Sequence, residues 1–129
     1  EGVSLAKVGA KLIVLNFWAS WCEACLVEMP SLVKLRHAFQ SQGLEVIPLN
    51  VDDQPDAVIP RMADLLKIDF PIYVDRDQEL SRRFDVHGIP FTAILRSNGE
   101  VLLLEAGERD WFAKEVQEKV KSWLNSPSL

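Results

Sequence analysis

With 129 residues, 48% of them hydrophobic and 26% charged, the chain has the make-up of one folded globular domain. A net charge of −5, with Arg82-Arg83 flanked by Glu79 and Asp85, argues against nucleic acid as a partner. No apolar run approaches the ~18 residues of a membrane span. No signal-peptide pattern stands at Glu1 to Ser4, and because the chain starts on Glu this decides nothing about compartment.

Lys11 to Trp18 is a short apolar run that suits a strand buried on both faces. Trp21-Cys22-Glu23-Ala24-Cys25 follows directly. Beyond Pro30-Ser31, the residues Leu32, Leu35, Ala38 and Phe39 recur at helical spacing up to Gly43. Leu44 to Val51 reads as a second strand that carries Glu45 and Pro48, and Asp52-Asp53 as an acidic turn.

Val58, Met62, Leu65 and Leu66 mark an amphipathic helix, with Pro60 expected in its first turn. Pro71 to Val74 is a short strand, and Glu79 to Phe84 a short helix. Thr92 to Arg96 and Val101 to Glu105 flank Ser97-Asn98-Gly99-Glu100, a hairpin signal. A helix from about Trp111 to Leu124 closes the chain, with Asp110 as N-cap and Phe112, Val116, Val120 and Trp123 on its buried stripe. Trp111 and Trp123 read as packing. The order β-α-β-α-β-α-β-β-α implies an α/β fold, a mixed sheet with helices on both faces, and a single domain over 1–129.

Cys22 and Cys25 are the only cysteines. Two thiols separated by two residues can close as a disulfide, because helix positions three apart share a face. At a helix N-terminus Cys22 gains thiolate character, making it the attacking sulfur and Cys25 the resolving one. Glu23, a carboxylate beside that thiolate, opposes its ionisation and makes the disulfide harder to reduce, so the couple is expected to donate electrons. The other reading is a zinc half-site or two inert buried thiols. A four-ligand zinc site would need His37 and His87, fifty residues apart, so no metal is expected.

Asn16 to Cys25, together with Gly88-Ile89-Pro90 and Pro30, resembles the thioredoxin superfamily over roughly residues 8 to 124. Within it the chain looks most like the TlpA/ResA-like group, which includes the cytochrome c maturation thioredoxins. The resemblance implies a thioredoxin fold with an extra helix and strand, here about 56–74, ahead of a cis-proline at Pro90. It also implies that Glu28, in Glu28-Met29-Pro30, manages the proton of Cys25. In ordinary thioredoxins a buried aspartate and a lysine stand where this chain has Asn16 and Pro48. The alternative for Glu28 is a solvated glutamate on the helix surface.

On the same resemblance, substrate contact is expected at Trp21, Glu23, Ala24, Ile89 and Pro90. Phe91, where threonine is usual, would make that surface more apolar, and His87 would lie on its rim. Trp18 is expected to support the core. The implied function is that of a thiol–disulfide oxidoreductase that reduces protein disulfides, apocytochrome c being one candidate. It implies no cofactor, an exported or periplasmic monomeric domain, a membrane tether and a membrane electron donor. The rivals are an oxidase or isomerase of similar fold and a metal-binding or metallochaperone module. A peroxidase would need a lone peroxidatic cysteine in a Thr/Ser-rich setting that the sequence lacks.

Overall fold

All seven residues of strand β1, Leu12–Trp18, are buried. Their side chains alternate between the two faces of the sheet, and each face has its own core. Leu12, Val14 and Trp18 pack with Met29, Leu32 and Leu35 in one. Ile13, Leu15 and Phe17 pack with Ile47, Leu49 and Leu95 in the other. Asn16 interrupts the apolar series on the first face while remaining fully buried. A computed structural model of the chain describes residues 9–126.

Five strands run in the order β3-β2-β1-β4-β5. β2, Leu44–Asn50, lies parallel to β1 and to the two-residue β3, Tyr73–Val74. β4, Phe91–Arg96, runs antiparallel to β1 and to β5, Val101–Ala106. The register sets Asn16 of β1 opposite Pro48 of β2 on one side and Thr92 of β4 on the other. Because β3 pairs only with Leu49 and Asn50, Pro48 lies outside that ladder and its missing N–H breaks no bond there.

Helix α1, Glu23–Phe39, runs through Pro30 without interruption. It turns Cys25, Glu28, Met29, Leu32, Leu35 and Phe39 inward, whereas Ala38, expected on that stripe, faces solvent. Gly43, at φ +110, then lets the chain double back into β2 with its α-carbon against the Lys11 side chain. Helix α2, Pro55–Leu66, starts one proline earlier than expected: Pro55 occupies the first turn and Pro60 the interior. Of its predicted stripe, Met62 is buried but Leu65 is 69% exposed.

Helix α3, Glu79–Arg83, is anchored by Asp75, whose carboxylate accepts the Leu80 and Ser81 N–H groups at 2.9 Å each. Helices cover both faces: α1, α2 and the last helix pack on the first core, while Leu80 of α3 and Phe84 just after it pack on the second. The β4–β5 hairpin closes through Gly99, at φ +98, whose N–H donates to the Arg96 carbonyl at 2.9 Å.

Helix α4, Lys114–Asn125, begins three residues later than the sequence suggests. Asp110 does not cap it; its carboxylate accepts the Phe112 N–H at 2.9 Å and holds a turn ahead of the helix. Trp111 sits in that turn, fully buried, while Val116 and Val120 form the helix's buried face.

Candidate active site

Cys22 is the N-cap residue of α1. Cys22 and Cys25 are joined by a disulfide, with their α-carbons 5.2 Å apart. The Cys22 sulfur also accepts the Cys25 N–H at 3.2 Å, so an otherwise orphaned helix donor points at the outer sulfur. Cys25 is wholly enclosed, whereas Cys22 keeps 7% of its surface open, which makes it the sulfur a partner can approach.

The loop before Cys22 is tied to the end of β2. Asp52 accepts the Ser20 N–H and the Ser20 hydroxyl at 2.8 Å each, and the Asn50 amide at 2.8 Å. The sequence presents Asp52 only as half of an acidic turn. Its job is to hold the approach to the disulfide, and no local pattern announces a partner 32 residues away.

Glu28 is not a solvated surface glutamate: it is 2% exposed, one turn along α1 from Cys25. Its Oε2 accepts the Asn16 amide N–H at 2.8 Å. Its Oε1 accepts the Arg109 backbone N–H and the Trp111 indole N–H, both at 3.1 Å. Burial pushes the Glu28 carboxyl above its ordinary value, against the pull of those three N–H donors, and the nearby charge of Glu108 adds to the rise.

Trp111 is therefore more than packing. Its backbone N–H donates to Ser31 Oγ at 2.9 Å, and that hydroxyl donates to the Glu28 carbonyl at 2.7 Å. The Arg109 guanidinium lies 5.3 Å over the Trp111 ring and pairs with Glu105 at 3.0 Å. Residues 109–111 thus form a strap across α1. A cleft of about 290 Å³, lined by Glu28, Lys34, Glu108, Arg109 and Asp110 among others, opens beside it.

On the other side of the disulfide, Trp21 is 70% exposed, while Trp18 is fully buried. Glu23 is exposed and Ala24 half-buried. The Ile89–Pro90 peptide bond is cis, with Pro90 buried and Ile89 half-buried. A cleft of about 430 Å³ runs between Trp21, Asp53, Val86, His87 and Ile89. His87 is exposed on its edge and pairs with Asp85 at 2.9 Å. His37 lies elsewhere, against Asp69 at 3.3 Å. Phe91, next to this cleft, is half-buried and lays its ring edge-on against Phe17, centroids 6.1 Å apart, beside the second core.

Comparison with known proteins agrees with this geometry. The AhpC/TSA family matches residues 1–103. A protein named thiol-disulfide oxidoreductase ResA from Halalkalibacterium halodurans is 28% identical over 94% of this chain and 69% of its own length. ResA from Geobacillus thermodenitrificans is 33% identical over 95% of this chain and 66% of its own, and ResA from Bacillus subtilis 31% over 81% and 58%. The chain thus spans roughly three-fifths to two-thirds of the length of these relatives.

Among solved structures, StoA from Bacillus subtilis superposes with a TM-score of 0.72 at 25% identity, covering 91% of this chain and 84% of that one. A putative thiol:disulfide interchange protein DsbE from Chlorobium tepidum reaches 0.78 at 24%, covering 91% and 82%, a likeness of fold. With a five-stranded mixed sheet and a cysteine pair at the start of its first helix, and with the family match over residues 1–103, the chain belongs to the AhpC/TSA family, as a thioredoxin-fold relative of the ResA proteins.

Proposed function

We propose that the chain is a thiol–disulfide oxidoreductase that works as a reductant of protein disulfides, as one domain built on the 8–124 core with residues 56–74 added to it. The observation that carries this reading is the Cys22–Cys25 pair at the start of α1, backed by the buried carboxyl of Glu28 one turn further on. In the reduced protein, the Cys22 thiolate attacks one sulfur of a substrate disulfide. The other substrate sulfur leaves as a thiolate. Cys25 then passes its proton to Glu28 and attacks the Cys22 sulfur. A Cys22–Cys25 bond forms and the second substrate sulfur departs, so two electrons have moved to the substrate.

Trp21, Glu23, Ala24, Ile89 and Pro90 form the surface that receives the substrate, with Trp21 as its apolar platform. Similarity to the ResA proteins supports an exported domain that acts on other proteins, with apocytochrome c as a candidate substrate. A membrane electron donor would return the pair to the dithiol. Among the described residues no helix is long and apolar enough to cross a membrane; the membrane tether is proposed from the likeness to the ResA proteins alone. The domain is proposed to act as a monomer.

Trapping tests this reading. Cys25→Ser leaves Cys22 to attack without a resolving partner, so mixed disulfides with substrates accumulate and mass spectrometry names them. Cys22→Ser captures nothing. No capture by either variant in native extract overturns the exchange role. A midpoint potential above about −150 mV, the territory of dedicated oxidants, overturns the reducing direction alone.

A further inference from the structure

Every group that grips Glu28 is an N–H donor: the Asn16 amide, the Arg109 backbone and the Trp111 indole. Such a set suits a carboxylate, which only accepts. A protonated carboxyl has a hydrogen to donate, and none of these three partners can take it. The proton-accepting role proposed for Glu28, on which this inference rests, requires that both states be housed.

One buried acceptor in this network is unpartnered. Asn16 donates through Nδ2 to Glu28 Oε2 at 2.8 Å and to Thr92 Oγ1 at 2.9 Å, while its own Oδ1 is buried and meets no donor. The two ends of an amide are nearly equal in size, so a half-turn exchanges them within the same space. After the turn, Oδ1 can accept from a protonated Glu28 Oε2 and from the Thr92 hydroxyl, which serves as donor or acceptor. One end of the amide is unpaired in either orientation. The proton on Glu28 decides which.

We propose that Asn16 is the positioning residue that follows the proton of Glu28. Its amino group faces the ionised carboxylate, and its carbonyl oxygen turns to the acid when Glu28 takes the proton from Cys25. The substitution of an amide for a carboxylate in β1 then has a use: it answers either state of Glu28 without adding a second charge to the core.

The other groups around Glu28 leave this role to Asn16. Cys25 lies on the same helix, and Thr92 enters from β4 only through Asn16. Arg109 turns its guanidinium to Glu105 and to Glu115, at 3.0 and 3.6 Å. Lys34, Glu108 and Asp110 line the neighbouring cleft, and of these the Glu108 charge acts on Glu28, favouring its protonated form.

The test is a pH titration of the oxidised protein by NMR, following the Glu28 carboxyl carbon and the Asn16 side-chain amide together. The expected result is one shared midpoint, with the Asn16 amide protons losing their NOEs to the Thr92 side chain as Glu28 protonates. In Glu28→Gln the Asn16 resonances should not move with pH. If Glu28 titrates while the Asn16 NOEs stay unchanged, this proposal falls and the proton-accepting role of Glu28 stands. If the Glu28 carboxyl itself does not titrate, both fall. In kinetics, Asn16→Ala leaves both states of Glu28 without this partner, so resolution by Cys25 should slow several-fold on either side of the Glu28 midpoint while attack by Cys22 is retained. An unchanged rate of resolution overturns the positioning role.

Discussion

The indole N–H of Trp111 donates to Oε1 of Glu28 at 3.1 Å, across 83 positions of sequence. The bond joins the segment ahead of the last helix to the helix that carries both cysteines. It makes the environment of Glu28 a product of tertiary structure, and it can be tested by removing the indole. Trp111→Phe keeps a smaller ring without the N–H and leaves a gap whose cost does not depend on pH, so the pH-dependent part of the loss reports the bond. Loss of a hydrogen bond to a charged, buried carboxyl costs about 2 kcal/mol. The loss should be largest where Glu28 is ionised and fade as pH falls; urea unfolding at two pH values would show a constant deficit if the indole bond contributes nothing.

Glu28→Gln should separate the two halves of the exchange. Attack by Cys22 on a substrate disulfide continues, while resolution by Cys25 slows on the order of 10²-fold, the usual size of a lost acid–base group. Stopped-flow measurement of the mixed-disulfide lifetime checks this. Equal slowing of both steps would point to a general distortion of the site instead.

The raised pKa of Glu28 also fixes the sign of a pH effect on stability. In the window between the ordinary carboxylate value and the raised one, the folded chain holds a proton that the unfolded chain has lost. Stability contributed at this site therefore falls as pH rises through that window. Glu28→Gln does not ionise, so its stability relative to the parent protein should improve over the same interval. Thermal unfolding followed from acid to neutral pH would contradict the assignment if the two curves ran parallel.

Asp52→Ala removes the acceptor for the Ser20 backbone, the Ser20 hydroxyl and the Asn50 amide together. A loss of about 1–3 kcal/mol is expected, since the buried Asn50 amide and the partly buried Ser20 donors are left without this partner. The loop before Cys22 should loosen with it. Faster amide hydrogen exchange at residues 19–22 is the accompanying observation.

Trp21→Ala should behave in the opposite way. The side chain is 70% exposed, so stability should change by less than about 0.5 kcal/mol. KM for a protein disulfide should rise several-fold, while reduction of a small aromatic disulfide reagent keeps its kcat. An unchanged KM for the protein substrate would remove Trp21 from the receiving surface.

Much of the molecule was legible locally. The dithiol spacing, the apolar β1 run and the Asn98-Gly99 turn are each contained in a few neighbouring residues, and each stands where its pattern indicates. Errors arose where a residue served a distant partner. Asp110 looks like a helix cap because the tryptophan after it looks helical; burial of that tryptophan against Glu28 delays the helix to Lys114. Pro60 suggests a helix start, but Pro55 fills that place with a backbone already set for it. The depth of Glu28 was the hardest to read, since it depends on a strap from the far end of the chain.

The strap has a consequence for the order in which the site is completed. Both cysteines and Glu28 lie in the first quarter of the chain, but two of the three donors to Glu28 arrive with residues 109–111. During synthesis, the thiols therefore emerge well before the surroundings that tune their proton acceptor. Until that segment docks, Glu28 lacks two of its three donors and part of its enclosure, so the proton acceptor proposed for Cys25 takes its final form only in the folded chain.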